Sequence, residues 1–419
     1  MVSTTLIVGA GQAGAECATA LRQHSYSGRI VLIGEEQHLP YRRPPLSKTF
    51  LAGEVTSDSL QVKPLAAYTR AAIDCMIGPR ALGIDRTRRH LELSDGQSLA
   101  YDTLVLATGG RPRRLAIAGA EQASNVHYLR TIADVERIHR DFLPGRRLVI
   151  VGGGYIGLEV AAIAIKRGLQ VTVLESAPRV LVRVTVADMS AFYEDVHRGA
   201  GVDIRTNAII EDLRLEGGRV RCVRLAGGDT IPADLLIVGI GLVPNVELAQ
   251  AAGLPIDNGI VVDEQARTAD PHIFAIGDCS NQPSEHYGRR VRLESVPNAT
   301  EQAQCAAATI VGKPKRHVGV PWFWSDQYEL KLQMAGLSQG FEQTVRRGEC
   351  ESRAFTMFYL KDGVVIAADA VNRPQEFMAA KQLIARKARI EPSVLANTAL
   401  PLRQSVSSSS FATASSDTP

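Results

Sequence analysis

Leu6-Ile7-Val8-Gly9-Ala10-Gly11-Gln12-Ala13-Gly14 decides the reading of this chain, because it returns as Leu148-Val149-Ile150-Val151-Gly152-Gly153-Gly154-Tyr155-Ile156-Gly157. Each copy is a short apolar run, a Gly-x-Gly-x-x-Gly turn and a helix-forming stretch, over 15–23 in the first and to about residue 167 in the second. A further apolar strand follows each: Ile30-Val31-Leu32-Ile33 before Gly34-Glu35, and Val171-Thr172-Val173-Leu174 before Glu175. Strand, glycine turn, helix, strand is the βαβ unit that binds a dinucleotide. The first glycine permits the tight turn, the second lets the backbone approach a pyrophosphate, and the third allows close helix–strand packing. The helix that opens there offers free N–H groups and a positive dipole end to the phosphates. Glu35 lies 21 residues after Gly14, and Glu175 lies 18 after Gly157. A carboxylate in that place accepts a hydrogen bond from an adenosine ribose hydroxyl.

Two complete fingerprints in one chain predict two dinucleotide domains. Apolar strands ending in glycine, Thr103-Leu104-Val105-Leu106-Ala107-Thr108-Gly109 and Leu235-Leu236-Ile237-Val238-Gly239-Ile240-Gly241, return the chain to each ligand edge. A third such strand is Ile273-Phe274-Ala275-Ile276-Gly277-Asp278. From about residue 321 aromatics cluster, and segments such as 354–360 read as antiparallel strands. The last residues, rich in Ser, Thr and Ala, read as a disordered tail.

With 419 residues the chain exceeds the ~250–300 that one hydrophobic core serves, so several domains are expected. A net charge of +3 gives no sign of a nucleic-acid polyanion as partner. The six cysteines, at 17, 75, 222, 279, 305 and 350, form no Cys-x-x-Cys, and no His is spaced from them as a zinc ligand would be. They read as reduced thiols, and no metal site is expected. No apolar run reaches the ~20 residues of a membrane span. The chain therefore reads as a soluble, cytoplasmic protein without membrane or nucleic-acid partners.

Pro40-Tyr41-Arg42-Arg43-Pro44-Pro45-Leu46-Ser47-Lys48, Gly277-Asp278, Glu294-Ser295-Val296-Pro297-Asn298 and Pro321-Trp322-Phe323-Trp324-Ser325-Asp326-Gln327 make the reading more specific. With them, residues 4–402 resemble the FAD-dependent NADH:ferredoxin reductases of bacterial cytochrome P450 and aromatic-ring dioxygenase systems. The fold so implied is α/β, with two Rossmann-like dinucleotide-binding domains in the disulfide-reductase-like architecture plus a C-terminal α+β domain. The expected boundaries are 1–113 and 244–320 for a discontinuous FAD-binding domain and 114–243 for the NAD-binding domain. A β-rich C-terminal domain over 321–403 and the tail over 404–419 complete the chain.

The resemblance also implies residue roles. Gly9, Gly11, Ala13, Gly14, Glu35 and Arg43 are expected along the ADP half of FAD, with Thr108 and Gly109 in the same site. The backbone of Ala81 belongs to the adenine region, Arg130 to the flavin phosphates, Asp278 to the ribitol and the backbone of Val296 to the isoalloxazine edge. Gly152, Gly154, Tyr155, Ile156, Gly157, Glu175 and Gly241 are expected to hold NADH. Lys48 is expected near flavin N5, paired with Glu159, as the catalytic pair; a solvated lysine and a helix-surface glutamate are the plainer alternative. Trp324 is read either beside the flavin or as ordinary core.

The implied activity is hydride transfer from NADH to FAD, then single-electron transfer to an acidic [2Fe–2S] ferredoxin in a transient complex. Related disulfide reductases carry a cysteine pair near the first FAD segment or inside the NAD domain, and related peroxidases a single reactive cysteine in the place of the Arg43-Pro44 region. No cysteine stands in the 43–48 segment here, so electrons are expected to leave without a dithiol relay. Arg42, Arg289, Arg290, Lys313, Lys315, Arg316 and Lys331 are candidates for the ferredoxin-facing surface. The alternatives are rubredoxin or a small-molecule radical as acceptor, or a non-catalytic nucleotide-sensing flavoprotein.

Overall fold

The computed structural model describes residues 3–317 and 319–402, and the tail expected over 404–419 lies outside the described residues. The chain divides into two compact units. The first comprises Met1–Pro45, Val55–Pro112 and Leu242–Gly319, and the second comprises Leu46–Glu54, Arg113–Gly241 and Val320–Pro419.

In the first unit Thr4–Val8 is the central strand of a five-stranded parallel sheet, between Arg29–Gly34 and Thr103–Leu106. Ile73–Ile77 and Ile273–Ala275 close its two edges. Strands this apolar need cover on both faces. The helices Gln12–Gln23 and Val296–Ile310 bury Cys17, Ala18, Leu21, Ala303, Ala306 and Ala307 on one face, with Ile7, Leu32 and Val105 from the sheet. Leu6, Val31 and Leu104 point to the other face, among Leu91, Leu254 and Val262.

The second unit repeats the plan. Arg147–Val151 lies between Gln170–Leu174 and Leu235–Val238, with Asp203–Arg205 and Val126–Tyr128 at the edges, all parallel. The repeat extends beyond the βαβ fingerprint. Ahead of the strand that returns to the centre, each unit carries a three-stranded antiparallel meander, Ala81–Asp85, His90–Leu93, Ser98–Ala100 in the first and Ile210–Glu216, Arg219–Leu225, Thr230–Pro232 in the second. The meanders share no glycine signature, so inspection of the sequence passes over them. The two sheets differ in their last edge strand. The second unit takes it from one helix ahead of its central strand, at Val126–Tyr128, whereas the first draws Ile273–Ala275 from far down the chain.

A five-stranded antiparallel sheet also belongs to the second unit, in the order Trp322–Gln327, Leu330–Gly336, Val364–Val371, Phe355–Lys361, Gln343–Arg347. The segment 354–360, read from the sequence as an antiparallel strand, is one, and Phe355 to Leu360 are all buried rather than buried in alternation. Phe358 and Leu360 pack on the helix Pro374–Ala385 with Ala380, Leu383 and Ile384. On the opposite face the Phe355 ring stands 5.0 Å from Phe192. The strand is covered twice and needs no polar side.

Between that sheet and the second dinucleotide domain lies a buried polar network. Thr185 Oγ1 donates to Asp369 Oδ2 at 2.7 Å, and the Tyr359 hydroxyl donates to the same oxygen. His197 Nε2 meets Gln327 Oε1 at 2.9 Å nearby, and burial lowers its pKa, so the imidazole is neutral. No helix among the described residues is long and apolar enough to cross a membrane.

Burial pushes the Asp369 carboxyl up to about 6, against the opposing effect of its Tyr359 and Thr185 donors. This lies above the ~3.9 of an unfolded aspartate, so its ionisation costs stability above about pH 6, a cost that disappears below about pH 4. Tyr359→Phe removes a donor that favours the charged form. It should cost about 1–3 kcal/mol at pH 8 and progressively less as pH falls through 6. Thermal midpoints of variant and wild type at pH 8 and pH 5 test this; an equal difference at both would mean that Asp369 does not titrate there.

Candidate active site

The glycines of the two turns divide by what surrounds them. Gly9 has φ +116°, and a Cβ there would overlap the carbonyl oxygen of Ala107; a Cβ on Gly14 would overlap the carbonyl of Gly9. In the second unit Gly152, at φ +108°, and Gly157 are confined in the same way by the carbonyls of Gly239 and Gly152. These four serve the protein's own packing. Gly11 and Gly154 are different. Both have extended backbone, and no protein atom lies within 4 Å of the Cβ position at either. Each caps its helix, Gln12–Gln23 or Tyr155–Lys166, without any side-chain cap. Nothing in the chain demands glycine at these two places. A phosphate drawn against the bare backbone and the open helix N-terminus does. The residues present therefore fit a dinucleotide in each unit.

The acids after the second strands are held differently. Glu35 is 62% exposed, with Arg80 at 3.5 Å. The Glu175 carboxylate accepts from Gly153 N at 2.7 Å and from Ala177 N at 2.8 Å, so it is fastened to its own glycine turn. In the first unit Arg43 donates to Glu36 Oε1 at 2.7 Å, and the Tyr41 hydroxyl donates to Glu36 Oε2 at 2.6 Å. Burial alone would lower the Arg43 guanidinium, but Tyr41, Glu36 and Asp278 together hold it above its ordinary value. Sequence reasoning named Glu35 and missed Glu36, whose signal was the Tyr41 and Arg43 facing it.

The other first-unit positions lie on turns and element ends. Ala13 is buried on the first-turn helix, and a Cβ on Gly277, at φ +76°, would stand 3.0 Å from its methyl. Only glycine lets Asp278 follow so close. Thr108 Oγ1 donates to the Asn245 carbonyl at 2.7 Å, and Gly109 has φ +63°. Ala81 begins the first meander, and Val296 opens a helix capped by Ser295. Arg290 is no surface cation of the kind expected, since it donates to the carbonyls of Val262, at 2.6 Å, and Asn281.

The second unit contains the buried ion pair. Lys48 Nζ stands 2.8 Å from Glu159 Oε1, with the side chains 17% and 1% exposed. Ser325 Oγ donates to the same oxygen at 2.7 Å, and Ser47 Oγ donates to Oε2 at 2.5 Å. Glu159 is thus neither a surface residue nor an orphan. A carboxylate in an apolar helix needs such partners. The two serines carry no sequence signal of their own. Segment 46–54 is tied further by His139 Nε2 to the Leu51 carbonyl, at 3.0 Å. Tyr155 stacks on Phe323 at 5.2 Å and donates to Met334 Sδ at 2.6 Å. Of the aromatic cluster, Trp322 packs on Phe377 at 5.7 Å beneath Lys381, and Trp324, half-buried as Trp322 is, lies 5.7 Å from Trp322. Arg130 precedes the capping box of the helix Ile132–His139, its N–H donating to Asp134 at 3.1 Å. Ile156 is exposed, and Gly241 has φ +112°.

All six cysteines are free. Burial pushes Cys17 up to about 12 and Cys75 and Cys305 to about 11, and it raises Cys279 and Cys350 as well. A thiol held above its ordinary pKa is a poor nucleophile at neutral pH.

Two nucleotide cradles of one plan, an antiparallel C-terminal sheet and no reactive dithiol define a class of flavin- and nicotinamide-dependent oxidoreductases. The chain belongs to the pyridine nucleotide-disulphide oxidoreductase family, whose model matches residues 3–303, and residues 322–406 match the reductase C-terminal domain. It is 48% identical to putidaredoxin reductase CamA of Pseudomonas putida over 95% of this chain and 96% of that one. It is 42% identical to rhodocoxin reductase of Rhodococcus erythropolis over 96% and 94% of the two chains. Among solved structures, the reductase in a covalent putidaredoxin reductase–putidaredoxin complex superposes with a TM-score of 0.94 at 48% identity, over 97% of this chain and 99% of that one.

Gly154→Ala meets open space, so its thermal midpoint should match wild type while NAD⁺ affinity falls about 10-fold or more. Gly157→Ala should destabilise the fold by roughly 1–3 kcal/mol, because its Cβ overlaps backbone. Calorimetric titration and thermal melts of the two variants decide; equal NAD⁺ affinity in Gly154→Ala would mean the cradle is not used.

Proposed function

We propose that this chain is an FAD-containing reductase that oxidises NADH and passes electrons singly to a [2Fe–2S] ferredoxin serving a cytochrome P450 or another oxygenase. The observation that carries this reading is likeness along nearly the whole chain to reductases named for such carriers, one of them solved in complex with its putidaredoxin. The chemistry FAD supplies is acceptance of a hydride and release of its electrons one at a time. The first-unit turn, with Glu35, Arg43 and Asp278, holds FAD, and the second-unit turn, with Glu175, holds NADH. Glu175 also repels a 2′-phosphate, which favours NADH over NADPH. Lys48 supplies positive charge where reduction places negative charge on the ring, and Glu159 pairs with that lysine and orients it. Trp324 and the backbone of Val296 border the ring. Because no cysteine stands in the 43–48 segment, electrons leave without passing through a thiol. A cytoplasmic setting belongs to the same proposal, since NADH is an intracellular coenzyme.

NADH oxidation assayed with a panel of purified ferredoxins and rubredoxins tests the reading. The purified protein should be yellow, and ferredoxin should stimulate turnover most. Stronger stimulation by rubredoxin would reassign the acceptor, and a flavin that NADH bleaches without stimulation by any carrier would favour a sensing role. An acidic ferredoxin docking on basic side chains such as Lys313, Lys315 and Arg316 should turn over more slowly as salt is added, while NADH-to-ferricyanide activity changes much less. Glu159→Gln, which leaves Lys48 without its counter-charge, should slow flavin reduction by NADH on the order of 10²-fold while FAD stays bound. Stopped-flow flavin absorbance measures that step; a rate near wild type removes Glu159 from the mechanism.

A further inference from the structure

Two arginines follow Glu175, and the structure separates them. Arg179 is used internally, donating to Ser190 Oγ at 2.6 Å and to the Val182 carbonyl at 3.2 Å. Arg183 is exposed and has no hydrogen-bond or ion-pair partner among the described residues. Its guanidinium nitrogens nevertheless have a defined place, 3.7 and 3.8 Å from the Cβ position of Gly241.

That place lies on the rim of the second cradle. The loop that carries Arg183 is fastened to the glycine turn, with Leu181 N donating to the Gly153 carbonyl at 3.0 Å and Val180 packed against Gly153. On its other side the turn abuts Gly239, through Gly152. Loop, glycine turn and the 239–241 turn thus form a ring, and the Arg183 guanidinium closes it over Gly241. Thr185, two residues on, pins the loop to the buried Asp369 at 2.7 Å. Within this ring Gly154 faces open space.

We propose that Arg183 binds the pyrophosphate of the nicotinamide coenzyme, supplying the full positive charge that the glycine turn lacks. This rests on the reading of the second unit as an NADH site. A helix N-terminus offers N–H groups and a partial charge, whereas a guanidinium adds a fork that matches phosphate oxygens. The pyrophosphate is common to NADH and NADPH, so Arg183 sets affinity for both and leaves the choice between them to Glu175.

Arg183→Gln should raise the Kd of NAD⁺ and of NADP⁺ by the same factor, about 10-fold or more, as expected for loss of a charged hydrogen bond. Adenosine, which has no phosphate, should bind the variant as it binds wild type, and Arg183→Lys should recover part of the affinity. Calorimetric titration, with competition for adenosine, measures all of these. An unchanged Kd for NAD⁺, a loss confined to NADP⁺, or an equal loss for adenosine overturns the proposal. Wild type that binds no NAD⁺ instead overturns the coenzyme reading beneath it.

Discussion

A carboxylate with 1% of its surface exposed has to be matched on every side, and Glu159 organises the second unit around that requirement. Desolvating an ion costs several kcal/mol unless partners replace the lost water. Lys48 and Ser47 come from a segment far earlier in the sequence, and Ser325 from the first strand of the C-terminal sheet. Satisfying one charge therefore ties three distant stretches of chain together. This is part of why Leu46–Glu54 belongs to the second compact unit although the residues on both sides of it belong to the first. Removing any one partner leaves a buried charge short of a donor.

The glycine turns follow a different constraint. Four of the six fingerprint glycines are required by the protein, because a side chain would overlap neighbouring backbone. The other two face empty space, and their identity makes sense only against something brought in from outside. Folding and binding are thus written into adjacent positions of one motif. Either unit can keep its packing while its affinity changes, or lose its packing first, depending on which glycine is altered.

The C-terminal sheet shows how cover from both sides removes the need for pattern. Its strand Phe355–Lys361 packs a helix on one face and the second dinucleotide domain on the other. The polar groups that remain, Asp369, Thr185 and Tyr359, satisfy one another. The same network fixes the loop that follows Glu175, so a carboxyl in the C-terminal sheet helps to shape the rim of the coenzyme cradle.

By itself the sequence determined the two βαβ units, their glycine turns, the acids that follow them and the lack of a dithiol motif, because each is a local pattern whose meaning is fixed within about 30 residues. Resemblance added Lys48 and Glu159 as partners. Only the tertiary structure decided that Ser47 and Ser325 complete that pair, that Glu36 rather than Glu35 holds Arg43, and that Arg290 is tied to backbone carbonyls. It alone distinguished Arg183, which stands at the rim, from Arg179, which is spent internally. Serines, single acids and single arginines have no periodicity and no motif. What each does depends on which distant atom the fold brings within hydrogen-bonding reach, and chain distance carries no record of that.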